Sequence, residues 1–513
     1  MSSPAGKSVL ARNTTYAFLG FAAAFVLPVL VQPYVLRRLG PDSFGVLAAL
    51  GTLGLWLGRY DLGIWAALPR EVAGLRARDD RAGLQSLAAS WLAVDLLLAA
   101  AILGAVVPAG RVILERLLPG AAAAQYRPAM ALIALQSVLA PLLRHLMGSL
   151  EGMQRLDLVN KMNLLVAPLQ VGGLVLFLES GRGLFGLALN GAIFSILQIV
   201  AFAVLLLRAG YPLAFGPGGT RSATLARLVK FGWKLEANQL LLQAFRSDRL
   251  LLGPTGLPMA LLAFYQIGAS AADRLGAAVQ TLSSAVLPAA SDLAARGERG
   301  RIVTLLMRGT KYHALAVAGG LGFAALFAPE LLLLWMGRPM PEAAAVLRLI
   351  SAGAGAAAVA SCSQAVAAAL GRPGLIPRGT AAGLAGAVVL YMTLGRRYDY
   401  RGLAGSVSAG MVLAQTVFMI GFHGMLEFRW REWVGNAFLK PLAAGAPLLA
   451  VFGAWRLAAP HLPPVSGRIE AFALLAPAFA LSAGLAWLLA RALKIVDDTD
   501  VDLLKSLGRP AAA

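Results

Sequence analysis

From about residue 16 to residue 490, apolar runs of roughly twenty residues alternate with short polar stretches rich in arginine. A helix rises about 1.5 Å per residue, so each run can cross the ~30 Å hydrocarbon layer of a bilayer. The pattern predicts fourteen spans: 16–36, 44–68, 84–106, 126–149, 162–178, 184–207 and 228–252, then 259–287, 314–336, 343–370, 379–394, 403–425, 437–455 and 469–490. The runs at 379–394 and 437–455 are short, so twelve or thirteen helices also fit. The expected fold class is an all-α polytopic membrane protein.

Composition supports this. The 513 residues are 58% hydrophobic and 14% charged, with a mean hydropathy of +0.72. One soluble core could not hide that much apolar surface, which excludes a soluble fold. The formal charge of +20 would suggest nucleic acid for a soluble chain. Here the stretches that a cytoplasmic N-terminus places inside carry more than twice the Lys and Arg of the outer loops. That bias sets both termini in the cytoplasm of an inner-membrane protein and removes nucleic acid as a partner. The first residues lack a cleavable signal pattern. The outer loops are short, with 107–125 the longest, and leave no room for a catalytic domain.

A weak internal repeat links the two halves. Arg37-Arg38-Leu39-Gly40, Asp61-Leu62-Gly63, Leu68-Pro69 and a charged loop at 71–81 form the first copy. Asp248-Arg249-Leu250, Asp273-Arg274-Leu275-Gly276, Leu287-Pro288 and a charged loop at 292–301 form the second. The economical organisation is two pseudo-symmetric six-helix lobes around a central cavity: residues 1–224 (spans 1–6 and a linker), then 225–430 (spans 7–12). A hairpin of spans 13–14 with a cytoplasmic tail occupies 431–513. Transporters place substrate between such repeats.

Ionisable groups inside apolar spans require protein or water beside them. On one α-helix, Gln266, Ser270, Asp273, Gln280 and Ser284 fall within about 80° of each other, with Arg274 at the edge of the stripe. The preceding span carries Glu236, Gln239, Gln243 and Arg246 in the same way. Together with Arg59, Asp61, Arg144 and Arg348, these residues form the candidate substrate-binding set. Guanidinium groups match phosphate and carboxylate oxygens and keep their charge when partly desolvated, so the set points to an anionic substrate. The same acids and bases also fit internal pairs that fix the bundle, Arg274 with Asp61 for example.

Other chemistry is lacking. Cys362 is the single cysteine, and His145, His313, His423 and His461 form no metal-ligand spacing, so no metal or cofactor is expected. Ala5-Gly6-Lys7-Ser8 lacks the first glycine of a phosphate loop. The glycines at 402–405 and 319–322 are expected to serve helix packing. The 225–230 stretch is expected along the inner leaflet, and the acidic tail at 495–507 in solvent.

Several of these stretches resemble one family. They are Asn13-Thr14-Thr15, Leu39-Gly40 through Phe44-Gly45, and Asp61-Leu62-Gly63-Ile64 through Pro69-Arg70-Glu71. Leu150-Glu151-Gly152 with Gln154-Arg155 and Asn160, and Phe231-Gly232, follow. The fullest runs from Ser247-Asp248-Arg249-Leu250 and Gly253 through Phe264-Tyr265, Ala272-Asp273-Arg274-Leu275 and Pro288 to Ser291-Asp292-Leu293. Over residues 10–310 the chain resembles the polysaccharide (Wzx-like) flippases of the multidrug/oligosaccharidyl-lipid/polysaccharide exporter superfamily. The resemblance implies two six-helix lobes that alternate access to a cavity with cationic side chains. It implies as cargo an undecaprenyl-pyrophosphate-linked oligosaccharide for cell-surface polysaccharide. Implied partners are membrane lipids, a polysaccharide polymerase and a chain-length regulator. Arg59 and Arg274 sit on comparable second and eighth helices. This chain departs from the pattern in having no charge between Arg12 and Arg37, which moves weight to Arg246, Arg144 or Arg348. The alternative is a multidrug/cation antiporter of the same superfamily, whose cavity would favour carboxylates and aromatics.

Overall fold

The structure, a computed structural model, describes residues 4–59, 64–117, 121–212, 222–251, 258–426, 429–462 and 464–496. Asp61, its Asp-Leu-Gly motif, residues 213–221 of the linker after span 6 and the 497–513 tail lie outside the described residues. Nearly all described residues are helical and none forms a strand. Among them, nine helical stretches are long and apolar enough to cross a membrane, or up to ten if one bent pair counts as a single span. Fourteen spans therefore stay an expectation. Expected span 8 is outside this set, and its polar stripe of Gln266, Asp273 and Arg274 lowers its hydropathy.

The chain divides into two compact units, Met1–Ala263 and Phe264–Ala513. The first holds α1 (Pro4–Leu57), α2 (Ile64–Ala77), α3 (Arg81–Leu117), α4 (Arg127–Gly152), α5 (Leu156–Glu179), α6 (Gly183–Arg208) and α7 (Ser222–Phe245). The unit boundary falls inside α8 (Met259–Gln280). The amphipathic 225–230 stretch, expected to lie separately along the leaflet, is part of α7. Helix α7 packs on α2 and α3 and so belongs to this unit.

Spans 1 and 2 are joined in α1, with one break at Gly40 (φ 75°, ψ 163°). Glycine takes positive φ without a Cβ clash, and Pro41 restarts the helix with φ already set. Span 2, expected unbroken, is interrupted: α1 ends at Leu57 and α2 begins at Ile64. Small residues let α1 approach α4 closely. A Cβ on Gly54 would lie 2.6 Å from Ser137 Oγ, and one on Gly58 3.0 Å from the Ser137 carbonyl. Around α4, Leu68, Leu87, Trp91, Leu150, Phe202 and Leu206 form a fully enclosed apolar cluster.

The second unit continues with α9 (Val286–Ala295), α10 (Arg299–Ala316), α11 (Gly322–Leu326), α12 (Ala328–Met336) and α13 (Pro341–Ala369). It ends with α14 (Leu375–Thr393), α15 (Asp399–Leu426), α16 (Trp430–Glu432), α17 (Lys440–Ala443), α18 (Ala446–Ala458) and α19 (Arg468–Ala492). Helix α13 is its centre. It packs on α9, α10, α11, α12 and α15, and 67% of its apolar window is buried, against 11–33% for the apolar helices of the first unit. Helices α14 and α15 meet through Gly379, Gly383, Gly410 and Ala414, where added Cβ atoms would strike the opposite backbone. Helices α18 and α19 pack together as the terminal hairpin.

Two expected spans change form here. Span 8 is not one helix: α8 stops at Gln280, a 3-10 turn runs over Thr281–Ala285, and α9 follows. Ser284 therefore leaves the register that placed it on the polar stripe, and Gln280 is exposed. Span 9 starts earlier, at Arg299 rather than 314, and breaks near Phe327, where α12 turns 79° away. Pro329 in the first turn of α12 has no N–H for a continuous helix, which accounts for the new start. Between α10 and α11, Val317–Leu321 forms a π-helical turn. Gly319 and Gly320, expected as packing residues, sit in that turn, and a Cβ on either would meet nothing within 4 Å. Gly402 does pack, against Gly395.

Ahead of Leu68-Pro69 the helix gives way to a turn at Gly58 and Arg59, and ahead of Leu287-Pro288 it gives way to the 3-10 turn Thr281–Ala285.

Candidate functional site

An interrupted helix leaves carbonyls without their usual N–H partners, and in an apolar medium these need donors. At the end of α1 the Gly58 carbonyl accepts from Arg144 Nη2 on α4 at 2.6 Å. The neighbouring Arg59 pairs with Glu236 of α7, Nη1 to Oε1, at 2.6 Å. Glu236 is 2% exposed and Arg59 28%. The carboxylate is thus inside protein, while the guanidinium reaches its edge.

The stripe on α7 continues this contact. Trp56 Nε1 donates to Ser247 Oγ at 2.6 Å, and Ser247 Oγ donates to the Gln243 carbonyl at 2.7 Å. Gln243 is buried, and its Nε2 has no protein acceptor among the described residues. Gln239 is exposed. Arg246, in the turn after α7, is also exposed and makes no ion pair among the described residues. The first unit therefore brings Arg59, Arg144, Glu236 and Gln243 to one helix interruption, with Arg246 one turn beyond Gln243. Asp61 lies outside the described residues.

In the second unit, Asp273 and Arg274 are neighbours on α8 and both are half-buried. Gln266 lies two turns earlier, and its Oε1 is buried without a protein donor among the described residues. Arg348 is on another element. Its Nε donates to the Ala325 carbonyl at 3.1 Å and its Nη2 to the Leu326 carbonyl at 3.4 Å. Arg348 thus caps the end of α11 where span 9 breaks, as Arg144 caps the end of α1.

The candidate arginines hence divide by role. Arg144 and Arg348 hold broken helix ends, Arg59 neutralises a buried acid, Arg274 sits beside Asp273, and Arg246 is open. Such groups can bind an anion and hydrogen-bond hydroxyls, while no described group of three or more His, Cys, Asp or Glu could hold a metal. Sequence reasoning missed the pair of His145 Nδ1 and Asp95 Oδ2, 2.6 Å apart and buried between α4 and α3. No spacing signal links residues that far apart. It also missed the carbonyls at the breaks, whose signals were Gly58 and Pro329.

No protein-family model matches the sequence, nor does any curated protein. Solved structures do match in fold. One is an inward-facing multidrug-resistance MATE-family transporter of the MOP superfamily, at 17% identity and a TM-score of 0.61, covering 80% of this chain and 98% of that one. Another is the lipid II flippase MurJ in an inward closed conformation, at 10% identity and a TM-score of 0.65, covering 94% of this chain and 99% of that one. A third is a MOP-superfamily transporter from Pyrococcus furiosus, described by the reverse polarity of its binding pocket, at 15% identity and a TM-score of 0.58, covering 81% of this chain and 95% of that one. The chain therefore has the MATE/MurJ-like transporter fold of a multi-pass membrane protein, a fold whose matched structures are transporters and flippases, not enzymes.

Proposed function

We propose that this protein flips a lipid-linked oligosaccharide, carried on a pyrophosphate, from the cytoplasmic to the outer leaflet of the inner membrane by alternating access. The observation that carries the reading is Arg246: an exposed guanidinium at the end of a polar helix stripe, with no ion pair among the described residues. A guanidinium in that state suits a phosphate that arrives and leaves, because no internal carboxylate must be displaced. In the first unit the amides of Gln239 and Gln243 serve the sugar hydroxyls beside Arg246; within the second unit Arg274 is a further anion-binding group, with Gln266 and Gln280 as its hydroxyl-binding amides. The match to a lipid II flippase over 94% of this chain supports a lipid-linked cargo, since the MATE-family transporter covers 80%. The polyprenyl tail stays in the bilayer. With the inside of the membrane negative, moving each negative charge outward gains about 2.3 kcal/mol per 100 mV, which favours export. A polymerase and a chain-length regulator would act on the product outside.

The test is Arg246→Ala in cells. Surface polysaccharide is expected to fall at least about tenfold, the factor for ~1.4 kcal/mol, with protein abundance unchanged and lipid-linked oligosaccharide accumulating on the inner leaflet. Full export by the variant removes Arg246 from the mechanism. Drug resistance conferred by the wild type, with no change in surface polysaccharide on deletion, would favour the antiporter instead.

A further inference from the structure

In the second unit, three side chains from three segments meet inside the apolar body. His313 on α10 is 1% exposed, and its Nδ1 lies 2.7 Å from the Gly309 carbonyl oxygen. A carbonyl only accepts, so this nitrogen carries a hydrogen. The other nitrogen, Nε2, lies 2.8 Å from Ser283 Oγ on the 3-10 turn between α8 and α9. Ser283 Oγ lies 2.7 Å from Ser361 Oγ on α13, which in turn lies 2.7 Å from the Ala358 carbonyl oxygen. The four contacts form one unbranched chain with a carbonyl at each end.

Counting hydrogens decides what the chain lacks. Four contacts need four hydrogens, but a neutral imidazole and two hydroxyls supply three. With His313 neutral, Ser283 donates to Nε2, and Ser361 has one hydrogen for two oxygens. One pair of oxygens then faces across 2.7 Å with nothing between. An imidazolium supplies the missing hydrogen. Nε2 then donates to Ser283, Ser283 to Ser361, and Ser361 to the Ala358 carbonyl, so that each hydroxyl donates once and accepts once. We propose that Ser283, His313 and Ser361 form a proton-binding site.

The ionisable side chains on the elements packed against α10 are Asp292 on α9, Cys362, Glu342 and Arg348 on α13, and Lys440 on α17. Helix α10 itself adds Arg299, Arg301, Arg308, Lys311 and Tyr312. Among the described residues none of these is hydrogen-bonded or ion-paired to the imidazole. The bound charge is held by directed hydrogen bonds and two carbonyl dipoles, which act against the cost of burying it. Ser283 is half-buried between exposed Leu282 and Ser284, so of the three side chains it stands at the protein surface with His313 behind it.

The position links proton binding to backbone form. Ser283 lies in the 3-10 turn that interrupts span 8, and the π-helical turn Val317–Leu321 starts four residues after His313. Proton uptake turns the Ser283 hydroxyl from donor to acceptor toward His313, which changes hydrogen bonding at the interruption itself. The site deepens the transport reading by naming a coupling ion. The titration below reports on the site whatever the cargo is.

The experiment uses the full-length protein in lipid nanodiscs with 15N-labelled histidine; His313→Gln identifies the His313 signal among the four histidines. At about pH 6, near the ordinary imidazole midpoint, both ring nitrogens of His313 are expected to carry hydrogen in the wild type. In Ser283→Ala only Nδ1 should. Hydrogen exchange, corrected for intrinsic pH dependence, should change severalfold at residues 281–285 as the proton leaves, and stay flat in His313→Gln. A wild-type imidazole singly protonated down to about pH 5 overturns the site. An exchange response retained in His313→Gln overturns its link to the interruption.

Discussion

Arg59 and Glu236 are 2.6 Å apart and tie the end of α1 to α7, with the carboxylate enclosed and the guanidinium partly open. Removal of the two partners is therefore unequal. Arg59→Ala leaves a buried, uncompensated carboxylate and should destabilise the protein by about 3–5 kcal/mol. Glu236→Gln leaves a cation that still reaches the protein edge and should cost clearly less. The double variant should recover most of the loss. Thermal unfolding of the detergent-purified variants measures all three, and an Arg59→Ala protein that melts with the wild type would sink this account.

Arg144 and Arg348 both donate to carbonyls at helix breaks, but in different settings. Arg144 is half-buried with a 2.6 Å bond, while Arg348 is exposed with contacts of 3.1 and 3.4 Å. Arg144→Ala should cost about 1–3 kcal/mol, the range for stranding a buried acceptor. Arg348→Ala should cost about 1 kcal/mol or less, and export should persist in that variant. If either substitution abolished export with an unchanged melting curve, the residue would be a substrate contact instead of a cap.

The α14–α15 contact depends on absent side chains. A Cβ at Gly410 would lie 2.6 Å from both the Gly383 carbonyl oxygen and Ala387 Cβ. Gly410→Ala should therefore cost about 1–3 kcal/mol through overpacking. Gly405, on the same helix, has nothing within 4 Å of an added Cβ. Gly405→Ala should be neutral or stabilise by up to about 1 kcal/mol, as expected for replacing glycine in a helix. Melting temperatures that move together in the two variants would contradict the contact.

The apolar run of expected span 10 is a helix because twenty or more apolar residues in a bilayer have no other way to pair their backbone, and so α13 was legible in the sequence. Interruptions were not. The break after Leu57 is held by Arg144, 86 positions along the chain, and no local pattern records such a partner. The break before α12 had a local signal in Pro329, but the apolar residues around it blend both pieces into one run. The polar stripe on α7 was legible, and its Glu236 was visible as a charge, yet pairing with Arg59 emerges only from packing. His313 gave no sign at all, because its partners Ser283 and Ser361 come from other helices and serine is unremarkable in any of them.

The π-helical turn at Val317–Leu321 has a consequence for chain length. A turn of that kind holds one residue more than an ordinary α-helical turn, so the backbone there accommodates the equivalent of a single-codon insertion. Downstream, Phe323 stacks on Phe327 at 4.8 Å and Phe327 meets Phe452 edge-on at 5.3 Å, so the aromatic register beyond the bulge is fixed by its own neighbours. A chain shortened by one glycine at 319 or 320 could wind that turn normally and leave those rings in place. The helix carries a spare residue, and a shorter ancestral or variant chain would keep the aromatic layer while losing the loosened turn beside His313.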